Sequence, residues 1–147
     1  MRRMAGMLVA VGLAVGVPGT AHATTSVTSG LVKCSVTALA PTLVSGKLTG
    51  WAKVTCNRAT TVEALLGVVE LDGTVEDALV PIRASSQFVK VTTSLVGKAI
   101  KISTGTVTCL DTDRSEREEY ASKAMLNLSG TVSPWDRYAP STNQFSC

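Results

Sequence analysis

In two segments, 31–39 and 46–56, apolar side chains recur on alternate positions, and two cysteines fall in phase with them. In 31–39, Val32, Cys34, Val36 and Ala38 alternate with Lys33, Ser35 and Thr37. In 46–56, Leu48, Ala52, Val54 and Cys56 alternate with Lys47, Thr49, Lys53 and Thr55. Successive side chains of a strand point to opposite faces, so a period of two marks strands with one face buried. Cys34 and Cys56 both point into the core on this reading, and the chain is constrained to a β fold.

Further strands follow at short intervals. Segments 60–71 and 74–82 are separated by Asp72 and Gly73 alone, a dipeptide suited to a type I′ turn, which predicts a two-residue hairpin. Pro81 lacks an N–H and either places the second of these strands at an edge or ends its pairing there. Segments 87–96, 98–110 and 124–132 are β-branched or alternating, with Gly105 a candidate bulge that re-phases its strand. The pattern predicts an all-β sandwich of about seven strands. The exception is 111–123, where Ser115 precedes Glu118 at capping-box spacing and Lys123 closes the far end; this predicts one short helix near 115–122. A chain of 147 residues with 45% apolar side chains suits one such domain, over 24–134, with 135–147 as a C-terminal strap tied by Cys147.

The first 23 residues read as a signal peptide. Arg2 and Arg3 precede the uncharged apolar run 7–17, Pro18 and Gly19 break it, and Ala21-His22-Ala23 forms a small-residue cleavage site. A spanning helix needs about 20 apolar residues, more than this run supplies. Cleavage after Ala23 leaves Thr24 first, where a lipoprotein would need Cys, so the protein is expected to be secreted and unlipidated. The cut removes His22, the only histidine, together with two of the 14 Lys and Arg that stand against 11 Asp and Glu. The remaining balance is weak and offers no electrostatic footprint for nucleic acid or for an anionic membrane.

Four cysteines in an exported chain imply two disulfides. Zinc would require close pairs such as C-x-x-C, which are absent from the sequence. Of the three connectivities, strand parity favours Cys34 with Cys56, leaving Cys109 with Cys147 by default; the other pairings stay open. Each bridge closes a loop worth about 3–4 kcal/mol on the chain-entropy estimate.

Cys34, Pro41, Gly46, Gly50, Val54, Cys56 and the Asp72-Gly73 dipeptide together give the first half a pattern that resembles small secreted actinobacterial proteins of immunoglobulin-like build. That resemblance implies an immunoglobulin-like sandwich stapled by disulfides.

Without an imidazole, the Ser/His/Asp and Cys/His mechanisms have no base, and the expectation is a protein that is not an enzyme and uses no cofactor. A glycosidase needs only two carboxyl groups about 5–9.5 Å apart. If Leu71 opposes Thr74 in the predicted hairpin, Glu70 and Asp77 lie diagonally on one face at about 7–8 Å, which makes a carbohydrate-active hydrolase the alternative. Asp111, Asp113, Glu116, Glu118 and Glu119 lack the glycine turn and spacing of a calcium loop and are read as a solvated helix face balanced by Arg114 and Arg117, so no metal is expected. Asn57 to Thr60 is a short loop beside a cysteine, of the kind a secreted enzyme inhibitor would use. The candidate binding residues are aromatic: Trp51, which parity sets on the polar face opposite the cysteines, and Trp135 and Tyr138 in the tail. The function expected from these residues is binding of an extracellular protein or glycan.

Overall fold

The computed structural model describes residues 24–71, 79–109, 118–137 and 144–145. They form two antiparallel sheets packed face to face. Sheet A contains β1 (Thr25–Ser29), β2 (Val32–Val44), β3 (Lys47–Cys56) and β6 (Ile100–Thr108) in the order β1-β2-β3-β6. Sheet B is built on β4 (Thr60–Leu71), β5 (Leu79–Val91) and β7 (Glu118–Leu128), with β4 central. The far side of β7 is paired in succession by three two-residue strands, β8 (Thr131–Val132), β9 (Asp136–Arg137) and β10 (Gln144–Phe145).

The alternation that marks β2 and β3 sets their inward faces. Cys34, Val36, Ala38, Leu48, Ala52, Val54 and Cys56 are all buried. Cys34 and Cys56 are direct cross-strand partners and form a disulfide, with Cα atoms 4.1 Å apart. Cys109 is also disulfide-bonded; Cys147, its expected partner, lies outside the described residues. From sheet B, Val62, Ala64, Leu66, Ala124, Leu126 and Leu128 close over the first disulfide. A second cluster, Leu48, Val68 and Tyr120 with Leu43, Val107 and Cys109 packed against it, fills the other end, where the Tyr120 hydroxyl donates to Cys109 Sγ at 3.4 Å.

Gly50 lies between these clusters, close against β4 of the other sheet. A Cβ on Gly50 would stand 2.6 Å from Val68 Cγ2 and 3.3 Å from the Gly67 carbonyl oxygen, so only glycine fits without a shift. Both neighbours of β3 bulge opposite it. Ala40 and Pro41 fall in the register gap of β2, and Thr104 and Gly105 in that of β6. Gly105, with φ 73°, is the bulge residue that its sequence suggests. Beyond the bulges the inward positions change parity, from Ala38 to Pro41 in β2 and from Thr104 to Val107 in β6. The backbone donors that a bulge takes out of the ladder need other partners. Gly50 N–H donates to Thr104 Oγ1 at 3.0 Å, and Trp51 N–H crosses to Ser122 Oγ of sheet B at 3.1 Å. Ala38 N–H, past the end of β1 on the open side of β2, donates to the buried carboxylate of Asp136 in β9.

Three expectations are corrected. Residues 118–122 belong to strand β7 and the described residues contain no α-helix, so the helix near 115–122 is not formed there; 111–117 lie outside the described residues. Tyr120, Ser122, Ala124, Leu126 and Leu128 share the buried face of this strand, a period of two that overrides the local capping signal. The hairpin after β4 is not a two-residue turn: Leu71 pairs with Leu79, and Asp72 and Gly73 lie outside the described residues. The type I′ pattern of two positive φ angles occurs instead at Ser45 and Gly46 (φ 49° and 70°) and at Ser129 and Gly130 (φ 52° and 86°). The expected seven strands differ in number and bounds, because 74–82 and 87–96 merge across Arg83–Ser86 into β5 while Thr25–Ser29 and the tail add strands.

Candidate binding face

Trp51 sits on the outer row of β3, opposite Leu39 of β2 and Ser103 of β6. Its indole is half-buried and fixed at two points. Nε1–H donates to Thr42 Oγ1 at 2.9 Å, and Lys101 Nζ stands 4.1 Å from the ring centroid. The bulge at Ala40 and Pro41 brings Thr42 onto the outer row beside Thr49, so the indole leans across that row, and Thr49 is buried. A cation over an indole face is worth about 0.5–1 kcal/mol at an exposed site.

The lysines around this ring form a pattern. Lys33, Lys47, Lys53 and Lys101 are all exposed on the outward rows of sheet A, among Ser26, Thr28, Ser35, Thr37, Thr55, Thr106 and Thr108. Lys53 and Lys101 are direct cross-strand partners. Residues 24–59 and 92–109, which make sheet A and its turns, contain none of the chain's 11 Asp and Glu. No carboxylate among the described residues pairs with any of these lysines; Lys47 Nζ donates to Thr108 Oγ1 at 2.8 Å. The weak net balance therefore conceals an uneven distribution of charge: the strands of sheet A carry cations only, and every acid belongs to β4, β7, β9, the β4–β5 connection or the connection from β6 to β7.

The other expected contact residues are not brought to this face. Trp135 is exposed, and its ring lies under Lys123 Nζ at 4.4 Å, on the outer side of sheet B. Tyr138 lies outside the described residues. Glu70 of β4 is half-buried with Tyr120 and Val80 as its strand partners; the Leu71–Leu79 register removes the geometry that set it beside Asp77, which lies outside the described residues. Glu63, on the outer face of sheet B, accepts from Ser86 Oγ and from Asn127 Nδ2. Asn57 is committed to structure: its Oδ1 accepts from Lys33 N–H at 2.8 Å and its Nδ2 donates to the Leu31 carbonyl at 3.2 Å, leaving Arg58 and Ala59 exposed at the turn. Among the described residues no group of three or more His, Cys, Asp or Glu is placed to hold a metal ion.

Thr42 and Lys101 are the site residues that parity on β3 alone does not reveal. The absence of acids from two separate segments is visible in the sequence, but it becomes a surface property only once β6 is known to pair with β3. No protein-family model matches the chain, and neither the curated proteins nor the solved structures searched contain a match.

Proposed function

We propose that the protein is a secreted, non-enzymatic binding domain of immunoglobulin-like build, and that it contacts an extracellular protein or glycan through the outer face of sheet A. The observation that carries this reading is Trp51: a large aromatic ring on a solvent-facing sheet, held in one orientation by Thr42 and Lys101. A ring fixed before binding loses little entropy on contact, which is the property of an anchor residue. Export is supported by the disulfides and by the layout of 1–23, which lies outside the described residues; among the described residues no helix is long and apolar enough to cross a membrane. The immunoglobulin-like assignment is supported by strand order. β3 pairs β6 in one sheet while β4 pairs β7 in the other, and the chain changes sheets after β3, β5 and β6, as in that Greek key. It differs in its staple, which joins neighbouring strands of one sheet rather than the two sheets.

Affinity electrophoresis of residues 24–147 through gels containing neutral and charged polysaccharides, in parallel with Trp51→Ala, tests the reading. Retardation by at least one polymer, reduced about tenfold in affinity by the substitution, is the expected result. Retardation indifferent to Trp51, or release of reducing ends that disappears in Glu70→Gln, contradicts it.

A further inference from the structure

We infer that the ligand of this face is a linear anionic polysaccharide lying along β3, a conclusion that rests on the binding role of Trp51 and adds the chemistry of the partner. Two features of the sheet point to it. The first is an all-cation surface: Lys33, Lys47, Lys53 and Lys101 project from three adjacent strands with no acid anywhere in sheet A. Lys47 and Lys53 lie on the same row of β3, about 20 Å apart at the rise of a strand, with Trp51 between them. The second is the direct opposition of Lys53 and Lys101. Cross-strand partners have Cβ atoms about 5 Å apart, and like charges there oppose sheet formation. The fold therefore sets two lysines directly opposite each other, with the Lys101 ammonium over the Trp51 ring, an arrangement whose like-charge repulsion an anionic ligand relieves.

The remaining groups on the face select a glycan over other polyanions. Its outer rows are rich in Ser and Thr hydroxyls, which both donate and accept and so match sugar hydroxyls. A membrane surface would call for apolar prongs on the same face. Among the described residues the large exposed apolar side chains form no such set: Val44, opposite Lys47, is the one that shares this face, Leu31 lies at a turn, and Phe88, Val132 and Trp135 lie on the sheet B side. A single indole offers no run of stacking platforms for the successive bases of a nucleic acid strand.

The test uses residues 24–147 with dextran sulfate, sodium polygalacturonate, uncharged dextran and phosphatidylglycerol vesicles, followed by titration calorimetry. Binding is expected to the sulfated or the carboxylated glycan and not to dextran, falling about tenfold or more between about 50 and about 200 mM salt as condensed counterions are released. Lys53→Glu is the decisive variant because it turns a repulsive cross-strand pair into an attractive one. It should weaken glycan binding at least tenfold while raising Tm by about 1–4 °C, so lost binding cannot be ascribed to lost folding. Dextran binding equal to that of dextran sulfate, binding to the vesicles alone, or an unchanged affinity in Lys53→Glu overturns the inference. If Lys53→Glu is silent but Trp51→Ala abolishes binding of a neutral glycan, the anionic assignment falls and the binding face stands; if both variants are silent, both fall.

Discussion

At Gly50 one hydrogen atom sets how closely the two sheets approach. The missing Cβ makes room for Val68, and the backbone groups freed by the flanking bulges find Thr104 and Ser122. Gly50→Ala forces Val68 or the Gly67 backbone to move, and an overpacked core of this kind is destabilised by about 1–3 kcal/mol; urea denaturation should show that loss with the disulfide intact. Asp136 is a comparable point. Its carboxylate holds Ala38 N–H, and Asp136→Ala leaves a buried donor without an acceptor at a cost of about 1–3 kcal/mol, read as a fall in urea midpoint together with faster amide exchange at Ala38. Parity alone sufficed to set Trp51 outward and the cysteines inward. Neither the Gly50 contact nor the Asp136 bond was legible in the sequence, since each joins residues that become neighbours only when the sheets pack.

At the scale of the elements, β2 and β3 show how far local pattern reaches. Their alternation is visible from Val32 to Ala38 and from Leu48 to Cys56, and it predicts the Cys34–Cys56 pair found as cross-strand partners. The turn between them, at Ser45 and Gly46, is quieter in sequence than Asp72-Gly73, yet its two residues take the positive φ angles that a type I′ turn requires. In 111–123 the opposite error arises. Charge and capping spacing suggest a helix, whereas β7 buries a small-residue row of Tyr120, Ser122 and Ala124 whose alternation is hard to recognise when two of three members are small or polar. The paired replacement of Cys34 and Cys56 by Ala should lower stability by about 2–5 kcal/mol. Because β2 and β3 are also joined by their ladder, the sandwich should keep its far-ultraviolet circular dichroism spectrum at low denaturant.

At the scale of the whole molecule, a formal net charge of +3 describes the chain poorly. The strands of sheet A carry lysines and no acid, whereas those of sheet B carry both signs, so the two outer faces of the sandwich present unlike chemistry. Trp51 and Trp135 lie on opposite faces, each under a lysine, with only the first on the acid-free surface. The chain has 2 Trp, so each face carries its own indole N–H as a reporter. Nitrogen-15 correlation spectra of residues 24–147 titrated with dextran sulfate therefore address the central claim most directly. The account predicts that the Trp51 indole resonance and the amides of Lys53, Lys101 and Ser103 shift together, while the Trp135 indole and the amides of Phe88 and Lys90 stay in place. Movement of the Trp135 indole with a stationary Trp51 would contradict it.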